Sequence, residues 1–249
     1  MSELFDLRLP DDDLHSQINA MFEKFDGELP VETGAESAFE WINELKRHPD
    51  QILIAPGFEA EAALSDTYGP FVEVGGPTAP HKYELVDMTQ LPRPLMVSNI
   101  QPGTEESLGK VNFRADARKL PLPDASVGAL FTNALSRGTA IQEDVEEAKL
   151  WAEQERADQL AGLGDPEHPK IVAETQAAVT IIHEGFVAEA GRVVEDGGLL
   201  IWGTTWAESA ELAERQGFEV VVGKYSDNPS KKFDYILRRL PRLEDDPDN

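Results

Sequence analysis

Residues 71–80 read FVEVGGPTAP: a short apolar run carrying one acid, Glu73, then Gly75 and Gly76, then Pro77. Such a run bounded by turn residues predicts a buried strand. Glycine directly after a strand lets backbone approach a ligand closely, because it lacks Cβ and tolerates unusual dihedrals. The same pair also fits an ordinary tight turn, so the order of the elements around it decides the reading.

Downstream, short apolar runs alternate with turns and helices, the pattern of a parallel sheet with crossovers. The expected strands are FVEV, LMVSNI, VNFRAD, GALFTNA, LLIWGTT, FEVVVGKY and DYILRRL. A long helical region separates the fourth from the fifth. Its first part, EDVEEAKLWAEQERADQLAGLGDPEHP, reads as an acidic solvated helix or insertion; its second places Val179, Ile182, Phe186 and Ala190 at helical spacing, as in a crossover helix. The last two strands are close enough to pair as an antiparallel hairpin. Upstream, residues 1–70 read as helical with breaks, with stripes at Leu14, Ile18, Met21 and Phe22 and at Phe39, Trp41, Ile42 and Leu45. The expected organisation is an N-terminal helical annex or lid over 1–68, an α/β domain over 69–240, and a disordered acidic tail over 241–249.

The 249 residues include no cysteine, which fits a reducing compartment and excludes thiolate metal sites and cysteine nucleophiles. The sequence shows no basic n-region with an apolar core and no run of about 20 apolar residues. A soluble, cytoplasmic protein is expected. A formal net charge of -25 disfavours nucleic acid and anionic membrane partners. The five histidines, at 15, 48, 81, 168 and 183, show no metal-ligand spacing, so no metal is expected. His183 reads as a core or surface residue of the crossover helix, and His81 lies nearer the glycine loop.

Three segments in order carry a resemblance: FVEVGGPTA, RADARKLPLPDASVGALFTNAL and EAGRVVEDGGLLIW. With AERQGFEVV and the closing YILRR, the chain resembles the class I S-adenosylmethionine-dependent methyltransferases over residues 69–240. The resemblance implies a Rossmann-like, seven-stranded, mostly parallel sheet with an antiparallel last strand. It implies S-adenosylmethionine as cofactor, with Glu73, Gly75 and Gly76 beside its amino-acid end, and Asp116 and Ala117 beside the adenine. Thr78, Asn99 and Asn133 complete the implied cofactor-binding set. An aspartate such as Asp116 equally serves to cap its own turn.

The departures from the family pattern are specific. Pro77 stands where the second glycine is usual and removes an N–H donor; Ala79 replaces the third glycine. HKYELVDMTQLPRP holds little helical pattern, so the first crossover helix is expected to be short or missing. Asn99 stands where an acid usually grips the ribose; an alternative alignment uses YELVDM and Asp87. Gly128 stands where an aspartate is common. No catalytic base announces itself, although methyl transfer to a good nucleophile proceeds by proximity and orientation. Trp202 and Trp206 flank the end of the fifth strand, where an acceptor pocket would lie, whereas Trp41 and Trp151 read as packing residues. Two functional readings follow: a methyltransferase acting on a small molecule, or a non-catalytic protein of the same fold, its cofactor lost, serving as an interaction or regulatory module for a protein partner. A nicotinamide-dependent oxidoreductase fits worse, lacking G-x-G-x-x-G before a strong helix.

Overall fold

A computed structural model of the chain describes residues 31–78, 80–99, 111–133, 135, 168–226 and 233–242. The expected helix at 14–22, residues 143–167 of the acidic insertion, Ala79, Ala134, Trp151 and residues 243–249 of the expected tail lie outside the described residues, whereas Arg242 of that tail is bonded to Asp196 and to the Gly191, Arg192 and Val194 carbonyls.

Strands are β1 (Val31–Glu32), β2 (Ile52–Ile54), β3 (Phe71–Val74), β4 (Leu95–Asn99), β5 (Phe113–Arg114), β6 (Val127–Asn133), β7 (Val194–Thr205), β8 (Phe218–Tyr225) and β9 (Phe233–Arg239). Helices are α1 (Ala38–Arg47), α2 (Ala60–Asp66), α3 (His168–Val193) and α4 (Ala207–Arg215). The strands form one sheet in the order β1-β2-β8-β9-β7-β6-β3-β4-β5. From β7 through β5 all pairings are parallel, and β9 runs antiparallel to both β7 and β8. This is the Rossmann-like methyltransferase fold that the motifs imply.

The sheet has nine strands rather than seven. β2 pairs antiparallel with β8 and β1 pairs parallel with β2, so the segment expected to be only helical lengthens the sheet. The physical reason is local: Ile52-Leu53-Ile54, with two β-branched isoleucines, sits between a turn at Asp50, with φ 62°, and one at Gly57, with φ 72°, and meets the edge of β8. α1 forms as expected. Ser37 and Glu40 make a reciprocal capping box, and Trp41, Ile42 and Leu45 are buried. Each large side chain so buried contributes about 1.5–3 kcal/mol.

Side chains alternate between the two faces. Val72, Leu130, Leu200, Trp202 and Leu237 join Phe186 of α3 and Leu212 of α4 in one core layer. Phe71, Phe131, Leu199, Ile201 and Ile236 join Leu64 of α2 and Tyr83 in the other. Trp202 is fully buried, edge-on to Phe186, so it is a core residue and not the floor of an acceptor pocket. Its Nε1 and the hydroxyl of Tyr235, its cross-strand partner, have no hydrogen-bond partner among the described residues.

The amino ends of β3 and β6 touch at glycine. A Cβ on Gly69 would stand 2.4 Å from the Ser126 carbonyl oxygen and 2.5 Å from the Gly128 nitrogen; one on Gly128 would stand 2.7 Å from the Gly69 carbonyl oxygen and from Thr67 Oγ1. Gly128 therefore departs from the family pattern for a packing reason. Glu195 accepts from the Tyr68 and Gly69 nitrogens at 2.6 and 2.9 Å, and the Arg93 guanidinium donates to the carbonyls of Thr67 and Gly69. No helix among the described residues is long and apolar enough to cross a membrane.

Candidate functional site

The sheet reverses its direction of growth between β3 and β6: β4 and β5 are added on one side, β7 on the other. Ligands of open α/β sheets lie outside the carboxyl ends of the strands at such a point. Here the carboxyl ends of β3, β4, β5 and β6 lie side by side, and Glu73, Gly75, Gly76, Thr78, Asn99, Asp116, Ala117 and Asn133 fall in or shortly after them.

β3 ends in Gly75, with φ 78°, a conformation that requires glycine. The nitrogens of Gly75 and Gly76 both donate to the Ser98 carbonyl at the end of β4, at 2.9 and 3.2 Å. The chain then turns over Glu73. This carboxylate is 2 % exposed; its Oε1 accepts from the Thr78 nitrogen at 2.8 Å and the Tyr83 hydroxyl at 2.9 Å. Gly76 is needed for the turn, since a Cβ there would fall 2.4 Å from the Glu73 carboxyl carbon. The first crossover holds only a 3-10 turn, Pro80–Lys82, as the missing periodicity predicts. YELVDM forms no strand, so Asn99 of β4, and not Asp87, ends the strand beside β3. Asn99 Nδ2 donates to the Gly76 carbonyl at 2.7 Å, pinning the loop from the side.

Asp116 and the buried Ala117 follow β5, whose register places Arg114 opposite Asn99. Arg118 binds Asp116 through Nε and Nη2, at 3.1 and 2.8 Å, and its own backbone nitrogen donates to the same carboxylate at 2.8 Å. Asp116 is therefore a turn-capping residue as it stands. The segment is anchored below by the Leu120 nitrogen, which donates to the buried Glu189 of α3 at 2.5 Å. Asn133, at the end of β6, donates to the Lys82 carbonyl at 2.8 Å and so joins the far end of the β3 loop.

Burial pushes the Asp116 carboxyl up, but the hydrogen bonds and charge of Arg118 outweigh it and the net direction is down. A group whose folded pKa is lowered contributes stability that is complete above its unfolded value, about 3.9, and is lost as pH falls through the lower folded value. Replacing Arg118 by methionine should move the Asp116 titration, followed by carboxyl NMR, to higher pH; an unmoved titration would show that Arg118 does not hold it.

His183 is buried and structural as expected. Its Nε2 lies 2.7 Å from the Leu135 carbonyl and its Nδ1 3.2 Å from Ser209 Oγ, which in turn lies 2.6 Å from Thr205 Oγ1. Trp206 is half-buried beside it. The residue that the motifs did not reveal is Tyr83, whose only sequence signal is an aromatic ten positions after the acid. Among the described residues no group of three His, Cys, Asp or Glu is placed to hold a metal ion.

No family model and no curated protein matches the sequence. Solved structures of similar architecture include a SAM-dependent methyltransferase described as a possible histamine N-methyltransferase from Thermotoga maritima, 14% identical, covering 92% of this chain and 97% of that one at a TM-score of 0.38. A putative S-adenosyl-L-methionine-dependent methyltransferase from Methanococcus maripaludis is 10% identical, with 98% and 99% covered at a TM-score of 0.37. A putative methyltransferase in complex with the Trm112 activator of Haloferax volcanii is 10% identical, with 74% and 89% covered at 0.39.

Proposed function

We propose that the carboxyl edge of this sheet binds S-adenosylmethionine and that the protein is a methyltransferase acting on a small molecule. The observation that supports this reading is the convergence of Glu73, Gly75, Gly76, Thr78, Asn99, Asp116, Ala117 and Asn133 at the point where the sheet reverses. The residues fit the group at its amino-acid end, where Glu73 is a buried carboxylate with no cation bonded to it. At the nucleoside end Asp116 is an acceptor for the exocyclic amine once the half-exposed Arg118 turns away. Bound S-adenosylmethionine supplies an electrophilic methyl group. The chain's own contribution is to hold the cofactor's two ends and align an acceptor, so that proximity carries the rate.

A second reading, a non-catalytic protein of the same fold, is favoured by one specific observation. The loop has spent its donors: the Gly75 and Gly76 nitrogens on Ser98, the Thr78 nitrogen on Glu73, and Pro77 has none. Calorimetric titration with S-adenosylmethionine and S-adenosylhomocysteine separates the two. Micromolar binding, lost in Asp116→Ala and Gly75→Trp, supports the enzyme and justifies an acceptor screen. Absence of heat and of any thermal shift at millimolar ligand, with the protein folded, supports the second reading.

A further inference from the structure

Resting on the cofactor reading above, we infer that Tyr83 is a specificity-determining positioning residue, which fixes Glu73 so that the site selects ligands bearing an ammonium group. Glu73 lies on the face of β3 that also carries Phe71, and it is almost wholly enclosed. Two donors, the Thr78 nitrogen and the Tyr83 hydroxyl, converge on Oε1. Oε2 accepts no hydrogen bond from a described residue, and no lysine or arginine among them pairs with the carboxylate. A carboxylate that described residues bond on one oxygen only leaves the other for a ligand, and a cation with N–H donors suits it.

Tyr83 is suited to hold that arrangement. Its ring is buried and stands edge-on to Phe131 at 5.9 Å, and Phe131 is the cross-strand partner of Glu73. The phenol cannot swing away without opening that contact. Burial, and then the neighbouring Glu73 charge, hold its pKa well above the usual range, so the hydroxyl keeps its proton and stays a donor to Oε1. With Oε1 committed, Oε2 remains for the ligand. Because the Thr78 nitrogen shares Oε1, the loop closes on the same oxygen that Tyr83 orients.

The test compares two probes that share the thioadenosine portion and differ in the ammonium-bearing arm: S-adenosylhomocysteine, which has it, and 5′-methylthioadenosine, which lacks it. In Tyr83→Phe the affinity for S-adenosylhomocysteine should fall about tenfold, the scale of a lost hydrogen bond to a charged group. Affinity for 5′-methylthioadenosine should stay within about twofold. Glu73→Gln should lower the same ratio without Tyr83, and adding Tyr83→Phe to it should change the ratio no further, as coupling through one carboxylate requires. Melting temperatures establish that each variant is folded. Equal weakening of both probes, an unchanged ratio, or tighter S-adenosylhomocysteine binding in Tyr83→Phe would overturn the inference and leave the cofactor reading standing. Wild-type protein that binds neither probe would end the cofactor reading itself, and this inference with it.

Discussion

Gly69→Ala should lower the unfolding free energy by about 3 kcal/mol or more, at the upper end of what overpacking costs. The added carbon would meet three backbone atoms, the nearest at 2.4 Å, and none of them belongs to a side chain able to rotate away. Relief requires β3 and β6 to separate at their amino ends, where Gly128 donates to the Pro70 carbonyl at 3.0 Å and Glu195 clamps the incoming chain. Those two strands are interior to the sheet, so the strain is not confined to an edge. Against a total of about 5–15 kcal/mol, the variant would be marginal at room temperature. Urea unfolding monitored by circular dichroism measures it; a midpoint shift worth less than about 1 kcal/mol would mean that the strands have room to part. Gly128→Asp, which restores the family's commoner residue, should be at least as damaging, because its side chain would be driven into Gly69 and Thr67.

Gly76→Ala should abolish measurable S-adenosylhomocysteine binding, a loss of about a hundredfold or more, equivalent to about 2.7 kcal/mol, in a protein that still folds. Here the new Cβ meets a side chain, the Glu73 carboxyl, at 2.4 to 2.8 Å. The collision is resolved by expelling either the loop or the carboxylate, and either breaks the bonds to Thr78 and Tyr83. The loop is a surface element, so the cost to folding is smaller than at Gly69, about 1–3 kcal/mol. Calorimetry and a melting curve on the same sample separate the two effects. Wild-type affinity in the variant would mean that the loop can shift without cost to the ligand, and would remove Glu73 from the site.

Much of this architecture was legible in the residues, and the reasons are physical. FVEV, GALFTNA and LLIWGTT are mostly apolar because parallel central strands are covered on both faces, and the structure buries all of β3 and nearly all of β6. The weak pattern of HKYELVDMTQLPRP correctly announced a missing helix. β1 and β2 were hidden because two or three residues give no period to read, and the β8 edge that β2 joins lies some 170 positions away. The candidate site residues were named by type and order, but not their partners. That Asn99 would hold Gly76, or that Arg118 would occupy Asp116, depends on loop geometry that no spacing encodes. Gly128 showed the converse. Sequence marked it as a departure, and only the approach of Gly69 explained it.

The two short strands at the borders of the sheet bear on how the molecule behaves at high concentration. An exposed ladder of backbone donors and acceptors is a template for intermolecular pairing, and long flat edges promote fibrils. β2 covers Val222–Lys224 of the long β8, and among the described residues the sheet then terminates at β1 on one side and β5 on the other, each with a two-residue ladder and an exposed charged residue, Glu32 or Arg114. Neither border offers an incoming strand enough bonds to offset bringing a charge against it. With a net charge of -25 adding repulsion between copies, a nine-stranded sheet is kept from polymerising through its rims.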